Sequence, residues 1–169
     1  MLKRKHTFFI FFYSVLLTVT LNAAVDNSSS LNQKGMEELR SNHPYRAAEY
    51  FVQAISIDPK QKHYHNNLAA AYMRLGEYAK AEEHLKISLE LDGGYARALS
   101  NMSVTLFHLG RYMESYHYYL LTQKADSVYS EKRFEKKRVS SYIKKLSEGK
   151  PEDEELKRIK DYMESDAGD

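Results

Sequence analysis

The strongest constraint on this chain is a period. "LGEYAKAEEHL" at residues 75–85 returns in altered form as "LGRYMESYHYY" at 109–119, so Leu75-Gly76 and Leu109-Gly110 stand 34 positions apart. A frame of that length fits three times, over 28–61, 62–95 and 96–129. Four small-residue or bulky-residue series run through it: Gly35, Ala69 and Ser103; Ala47, Ala81 and Ser115; Phe51, Leu85 and Tyr119; Ala54, Ser88 and Thr122. Asp58, Asp92 and Asp126 mark a fifth phase. A unit this short cannot bury its own apolar face, so successive copies must stack into one continuous core.

Within a copy the spacing is helical. Ala47, Phe51 and Ala54 fall at i, i+4 and i+7, as do Leu68, Tyr72 and Leu75. Each copy therefore reads as two amphipathic helices of about 13 residues joined by a tight turn. Gly76 and Gly110 supply the positive-φ residue that ends the first helix; Asn42 does so in the first copy, where Pro44 opens the next helix. The small series serve close helix–helix approach, and the bulky series fills the layer beside it.

These residues resemble the tetratricopeptide repeat family, a 34-residue helix–turn–helix pattern. The middle copy carries the likeness on Leu68, Ala69, Tyr72, Leu75, Gly76, Tyr78, Ala81 and Leu85, and the flanking copies carry it on Gly35, Ala47, Phe51, Ala54, Pro59, Leu109, Gly110, Tyr112 and Tyr119. Leu31, His65 and Leu99 stand where the family often has Trp. The expected fold is all-α: a right-handed α-solenoid of three helix–turn–helix repeats closed by C-terminal capping helices over 130–165. Two capping helices are expected there, one carrying Phe134, Val139, Tyr142, Ile143 and Leu146, the other Leu156, Ile159 and Met163. Residues 166–169 read as a disordered tail.

The first helix of each copy presents a shared face. Asn32, Asn66 and Ser100 occupy one phase, Met36 lies four residues on, and Met73 and Phe107 lie seven on, beside Arg40, Arg74 and His108. The family resemblance implies that this face lines a concave groove for a peptide. There, amides would meet a backbone, the apolar floor would receive side chains, and the Arg/His rim would meet carboxylates. A subset of the family clamps an acidic C-terminal carboxylate; of its five positions this chain matches Asn67 and Arg97, with Asn32, Met36 and Asn101 standing in for other residues. Periodicity alone does not separate this groove from plain intra-chain packing with the arginines solvated, and the family resemblance favours the groove.

Residues 1–24 differ in kind. Lys3, Arg4 and Lys5 precede an uncharged run from Phe8 to Leu21, and the small Ala23 and Ala24 follow. That order describes an export signal, and the run is short for a membrane span, which needs about 20 residues. The reading is an exported protein, periplasmic or secreted in a bacterial envelope, with a membrane anchor through residues 8–24 as the alternative. Residues 25–30 read as a polar linker. Without the basic head the chain holds 22 basic and 23 acidic residues, which gives no field for nucleic acid.

Other chemistry finds little footing. The chain has no Cys, no phosphate-binding Gly loop and no nucleophile elbow, so no enzyme and no cofactor is expected. His63 and His65, two apart, point to different sides of a helix and make no metal pair. The stretch 131–145 holds seven basic and two acidic residues, a solvated capping face or a contact for anionic headgroups or an acidic partner. Tyr116, Tyr118 and Tyr119 read as packing, with self-association there or through the C-terminal helices as the rival structural role. The expected function is a non-catalytic scaffold or adaptor for a protein or peptide partner.

Overall fold

The computed structural model describes residues 27–165, and among these every regular element is a helix. In chain order they are α1 (27–40), α2 (Pro44–Ile57), α3 (Lys62–Leu75), α4 (Tyr78–Leu91), α5 (Ala96–His108), α6 (Tyr112–Ala125), α7 (Ser127–Phe134), α8 (Lys136–Gly149) and α9 (Glu154–Ser165). The export signal and the C-terminal tail, residues 166–169, fall outside the described residues.

The turns follow their chemistry. Asn42 (φ 61°), Gly76 (φ 76°) and Gly110 (φ 77°) take the left-handed conformation that ends α1, α3 and α5. The open space around the missing Cβ of Gly76 and Gly110 shows that conformation, rather than crowding, asks for glycine there. Pro44 sits in the first turn of α2, where its missing N–H costs nothing. The Asp series closes the second helices: Asp58, Asp92 and Asp126 each follow the last residue of α2, α4 and α6. Their carboxylates accept backbone N–H groups from Lys60 (3.3 Å), Gly94 (3.0 Å) and Tyr129 (2.9 Å), so each turns the chain into the next helix.

Packing makes a right-handed solenoid in which α2 rests on α3, α4 on α5, and α6 on α7 and α9. The four small and bulky series are all buried, and Ala47, Ala54, Phe51, Ala69, Ala81, Leu85, Ser88 and Thr122 are wholly so. Where Ala47 and Ala81 give way to Ser115, the helix contact is kept by hydrogen bonds. Ser103 Oγ donates to the Ser115 carbonyl (2.9 Å), and Ser115 Oγ donates back to that of Ser103 (2.8 Å). Two apolar clusters run along the array, one around Phe51 and Leu68, the other around Leu85, Met102 and Leu106. A third joins Ile143 of α8 to Leu156, Ile159 and Met163 of α9, against Tyr112 and Tyr116.

Two expectations are corrected. Residues 27–30 are the opening turn of α1 rather than linker, because Ser28 is buried there and its hydroxyl pairs with that of Tyr64 at 3.2 Å. The cap has three helices, not two. A continuous helix over 130–149 would set Phe134 roughly 140–180° from Val139 and Ile143 at 100° per residue. The chain breaks at Glu135 (φ 52°), which lets Phe134 meet Tyr119 edge-on at 5.3 Å while Val139 and Ile143 join the α8–α9 cluster.

Candidate functional site

The face shared by α1, α3 and α5 is organised by an asparagine ladder. Asn67 Nδ2 donates to Asn32 Oδ1 at 2.9 Å, and Asn101 Nδ2 donates to Asn66 Oδ1 at 3.0 Å. Asn66 also donates to Asn67 Oδ1 at 3.4 Å, so the four amides connect all three helices. Asn66 is buried, while Asn32 and Asn67 are half-buried. Each amide retains further donor capacity, since the NH2 group carries two protons. Ser100 is different. It is fully buried, donates to the Arg97 carbonyl (3.0 Å) and meets the Tyr129 hydroxyl of α7 at 3.0 Å, so it fastens the cap instead of facing a ligand.

Beyond the ladder lies an apolar floor under a basic rim. Met36 packs on the Phe51 cluster and Met73 on the Leu85 cluster, both half-buried. Phe107 is half-buried with Tyr112 at 5.4 Å and Tyr142 at 5.5 Å. Arg40, Arg74, Arg97 and His108 are exposed. Arg74 Nη1 donates to the Leu39 carbonyl at 2.7 Å, holding the guanidinium over the end of α1. His108 stacks flat on Tyr78, ring centres 4.3 Å apart. The sequence-derived residues thus share one side of three adjacent helices, with Ser100 removed from it and Phe107 at its C-terminal edge.

A feature that sequence reasoning did not find sits at that edge. A cavity of about 360 Å³ opens between α5, α6, α7 and α8, walled by Phe107, Tyr112, Tyr116, Tyr119, Phe134 and Tyr142. Arg133 and Arg138 stand at its border, both exposed. The signal available in the sequence was the density of aromatics over 107–142, which the spacing divides among groove floor at Phe107, packing and self-association rather than the walls of a cavity.

A cluster of charge pairs joins α4 to the start of α6. Glu82 accepts two hydrogen bonds from Arg111 Nη1 (2.8 and 2.9 Å) and pairs with Lys86 at 2.7 Å. Burial pushes the Glu82 carboxyl up, but these donors outweigh it and hold it below its ordinary range. His63, which pairs with the Tyr95 hydroxyl, belongs to the α3–α5 junction. His65 Nε2 donates to the Pro59 carbonyl at 2.9 Å, which leaves its Nδ1 to accept from His84 Nδ1 at 3.3 Å. Burial, then the neighbouring His65, lowers the His84 pKa from 6.5.

A base whose pKa falls on folding stays neutral in the native state while the unfolded chain takes up a proton, so stability drops as pH falls below about 6.5. The thermal midpoint should be lower at about pH 5.5 than at about pH 7.5, and His84→Phe should shrink that difference. An equal pH step in the variant, followed by circular dichroism, would show that His84 contributes none of it.

Helices paired at this spacing, with a shared inner face, define a tetratricopeptide-type helical-repeat protein. A family model described as the coatomer epsilon subunit matches residues 20–148, and the chain belongs to that family. It is 29% identical over 90 residues to the heat-shock protein cognate co-chaperone sgt12 of Aspergillus fumigatus, a match covering 53% of this chain and 26% of that protein. The chain therefore covers far less than two thirds of that relative's length. The crystal structure of the Sgt2 tetratricopeptide domain from Aspergillus fumigatus superposes with a TM-score of 0.65 at 23% identity, covering 73% of this chain and 82% of that one. The first such domain of Spaghetti (RPAP3), bound to the HSP90 peptide SRMEEVD, gives 0.59 at 22% identity, covering 60% of this chain and 83% of that one. At those identities the two structures speak to the fold.

Proposed function

We propose that this chain is a non-catalytic adaptor that holds an acidic peptide or protein segment along the face of α1, α3 and α5. One observation carries the reading: Arg40, Arg74, Arg97 and His108 remain exposed above a half-buried floor of Met36, Met73 and Phe107. Guanidinium groups meet carboxylates bidentately, and a half-buried apolar strip gains by being covered. The ladder amides, already ordered against one another, add donors at little further entropic cost. The likeness to a domain that holds SRMEEVD, a peptide rich in carboxylates, supports the same direction.

The test uses fluorescein-labelled SRMEEVD and anisotropy. Arg40→Glu with Arg74→Glu should weaken binding roughly ten- to hundredfold, as charge-assisted hydrogen bonds are worth about 1.5–3 kcal/mol. The melting midpoint should fall by no more than about 2–4 °C, since both side chains are exposed and the one bond lost is that of Arg74 to the Leu39 carbonyl. Phe107→Ala is a poorer probe, because it also strips contacts from Tyr112 and Tyr142. Unchanged affinity in the double variant would sink this assignment of the face.

The adaptor is further read as an exported protein of the bacterial envelope, on the basis of residues 3–24 alone. N-terminal sequencing of material from the native host should start at Ala24 or Val25; retention of Met1 removes the reading of a cleaved signal.

A further inference from the structure

We infer that the cavity at the C-terminal end is a second docking site, bordering the α1–α3–α5 face at Phe107, and that it takes a bulky apolar side chain projecting from an acidic partner segment. The cavity exists because the chain after α6 does not continue as one straight helix. Glu135, a residue with a side chain, is held at φ 52°, a conformation that costs energy and persists only where its surroundings impose it. The break swings α8 away from the line of α7 and leaves about 360 Å³ between them and the α5–α6 pair. A void of that size lies within the range of small binding pockets.

Its walls decide what can enter. Six aromatic rings dominate, and the hydroxyls of Ser103 and Ser115 are already committed to each other's carbonyls. A polar group placed inside would lose its water and find few partners, whereas an aromatic or large aliphatic side chain would find edges and faces to pack against. Tyr142 stays half exposed over the opening, 5.5 Å from Phe107, in position to close on an inserted ring.

The border decides what must surround that side chain. Arg133 and Arg138 flank the opening, and Lys132, Lys137, Lys144 and Lys145 are exposed on the same two helices. The remainder of the chain holds 18 basic and 21 acidic residues, whereas 131–145 holds seven basic and two acidic, so this stretch forms a local positive field. A segment bearing carboxylates on both sides of its apolar anchor complements that border. A second copy of this chain fits poorly as the occupant. Its acidic run, Glu152 to Glu155, leads into Leu156, which is fully buried within the α8–α9 cluster.

The probe is a short fluorescein-labelled peptide of glutamates around one central phenylalanine, titrated by anisotropy against the full chain. The phenylalanine peptide should bind at least tenfold tighter than its central-glycine counterpart. Arg133→Glu with Arg138→Glu should weaken it at least tenfold. Val139→Trp, which fills the cavity from α8, should weaken the phenylalanine peptide and leave the glycine peptide unaffected. Arg40→Glu with Arg74→Glu should change neither, so failure here and failure of the α1–α3–α5 face are read separately. Equal binding of the two peptides overturns the proposal. So does undiminished binding in the Arg133/Arg138 variant, or binding of free 3-phenylpropionate as tight as that of the peptide, which would make the cavity a small-anion site.

Discussion

Ala81→Arg is expected to unfold the middle of the solenoid. Ala81 has no exposed surface and lies in the cluster formed with Ala69, Leu85, Ala98, Met102 and Leu106. The position belongs to the small-residue series because α3 and α4 approach closely there. An arginine would need volume that a packed interior does not have, and its guanidinium would reach no carboxylate inside the cluster. Both effects together place the cost at about 4–5 kcal/mol or more, against a whole-domain stability of about 5–15 kcal/mol. For a chain of this size that corresponds to a midpoint lower by roughly 8–20 °C. Stacked repeats draw stability from their neighbours, so damage between α3 and α4 should also uncouple α1–α2 from α5–α9 and broaden the transition. Ala79→Arg is the matched control, since Ala79 is exposed two residues earlier on the same helix and should shift stability by no more than about 0.5 kcal/mol. Comparable melting of the two variants would mean that the close helix contact has been misplaced.

What could be read from the sequence was what the period repeats. Asn42, Gly76 and Gly110 were readable as left-handed turn residues because each sits where one amphipathic run stops and another begins. Gly35, Ala69 and Ser103, and their partner series, were readable as contacts because a single phase keeps its size class through three copies. Pairwise detail was not readable. The ladder joins residues 35 apart, one step beyond the period: Asn32 to Asn67, and Asn66 to Asn101. Sequence spacing puts these amides on one face but is silent on whether they turn to each other or to a ligand. Ser100 is a groove residue by spacing for the same reason, since the Tyr129 hydroxyl that covers it comes from α7, which starts only at the last positions of the third copy. The cap departs furthest. Past residue 129 no copy exists to compare with, and a stripe that looks nearly helical hides a break that only the competing demands of Phe134 and Ile143 enforce.

Gly35→Ala provides a sharper test of the first helix contact, because the sign of its effect is diagnostic. Gly35 is buried in the interior of α1, where helix propensity alone favours alanine by about 1 kcal/mol. A Cβ built there would meet the Phe51 ring at 2.5, 2.8 and 2.9 Å. Phe51 is wholly buried, so its ring has no open side into which to retreat. Overpacking of this kind costs about 1–3 kcal/mol, and it should reverse the propensity gain. Phe51→Ala alone removes the ring and should cost about 3–5 kcal/mol through lost burial and the cavity left behind. In the double variant the new methyl enters that cavity, so Gly35→Ala on the Phe51→Ala background should become neutral or stabilising. The cycle should therefore show a favourable coupling of about 0.5–3 kcal/mol by urea titration. Additive effects, or a stabilising Gly35→Ala in the otherwise unaltered chain, would show that the ring does not press on α1. The glycine would then have to be explained by something other than the approach of α2.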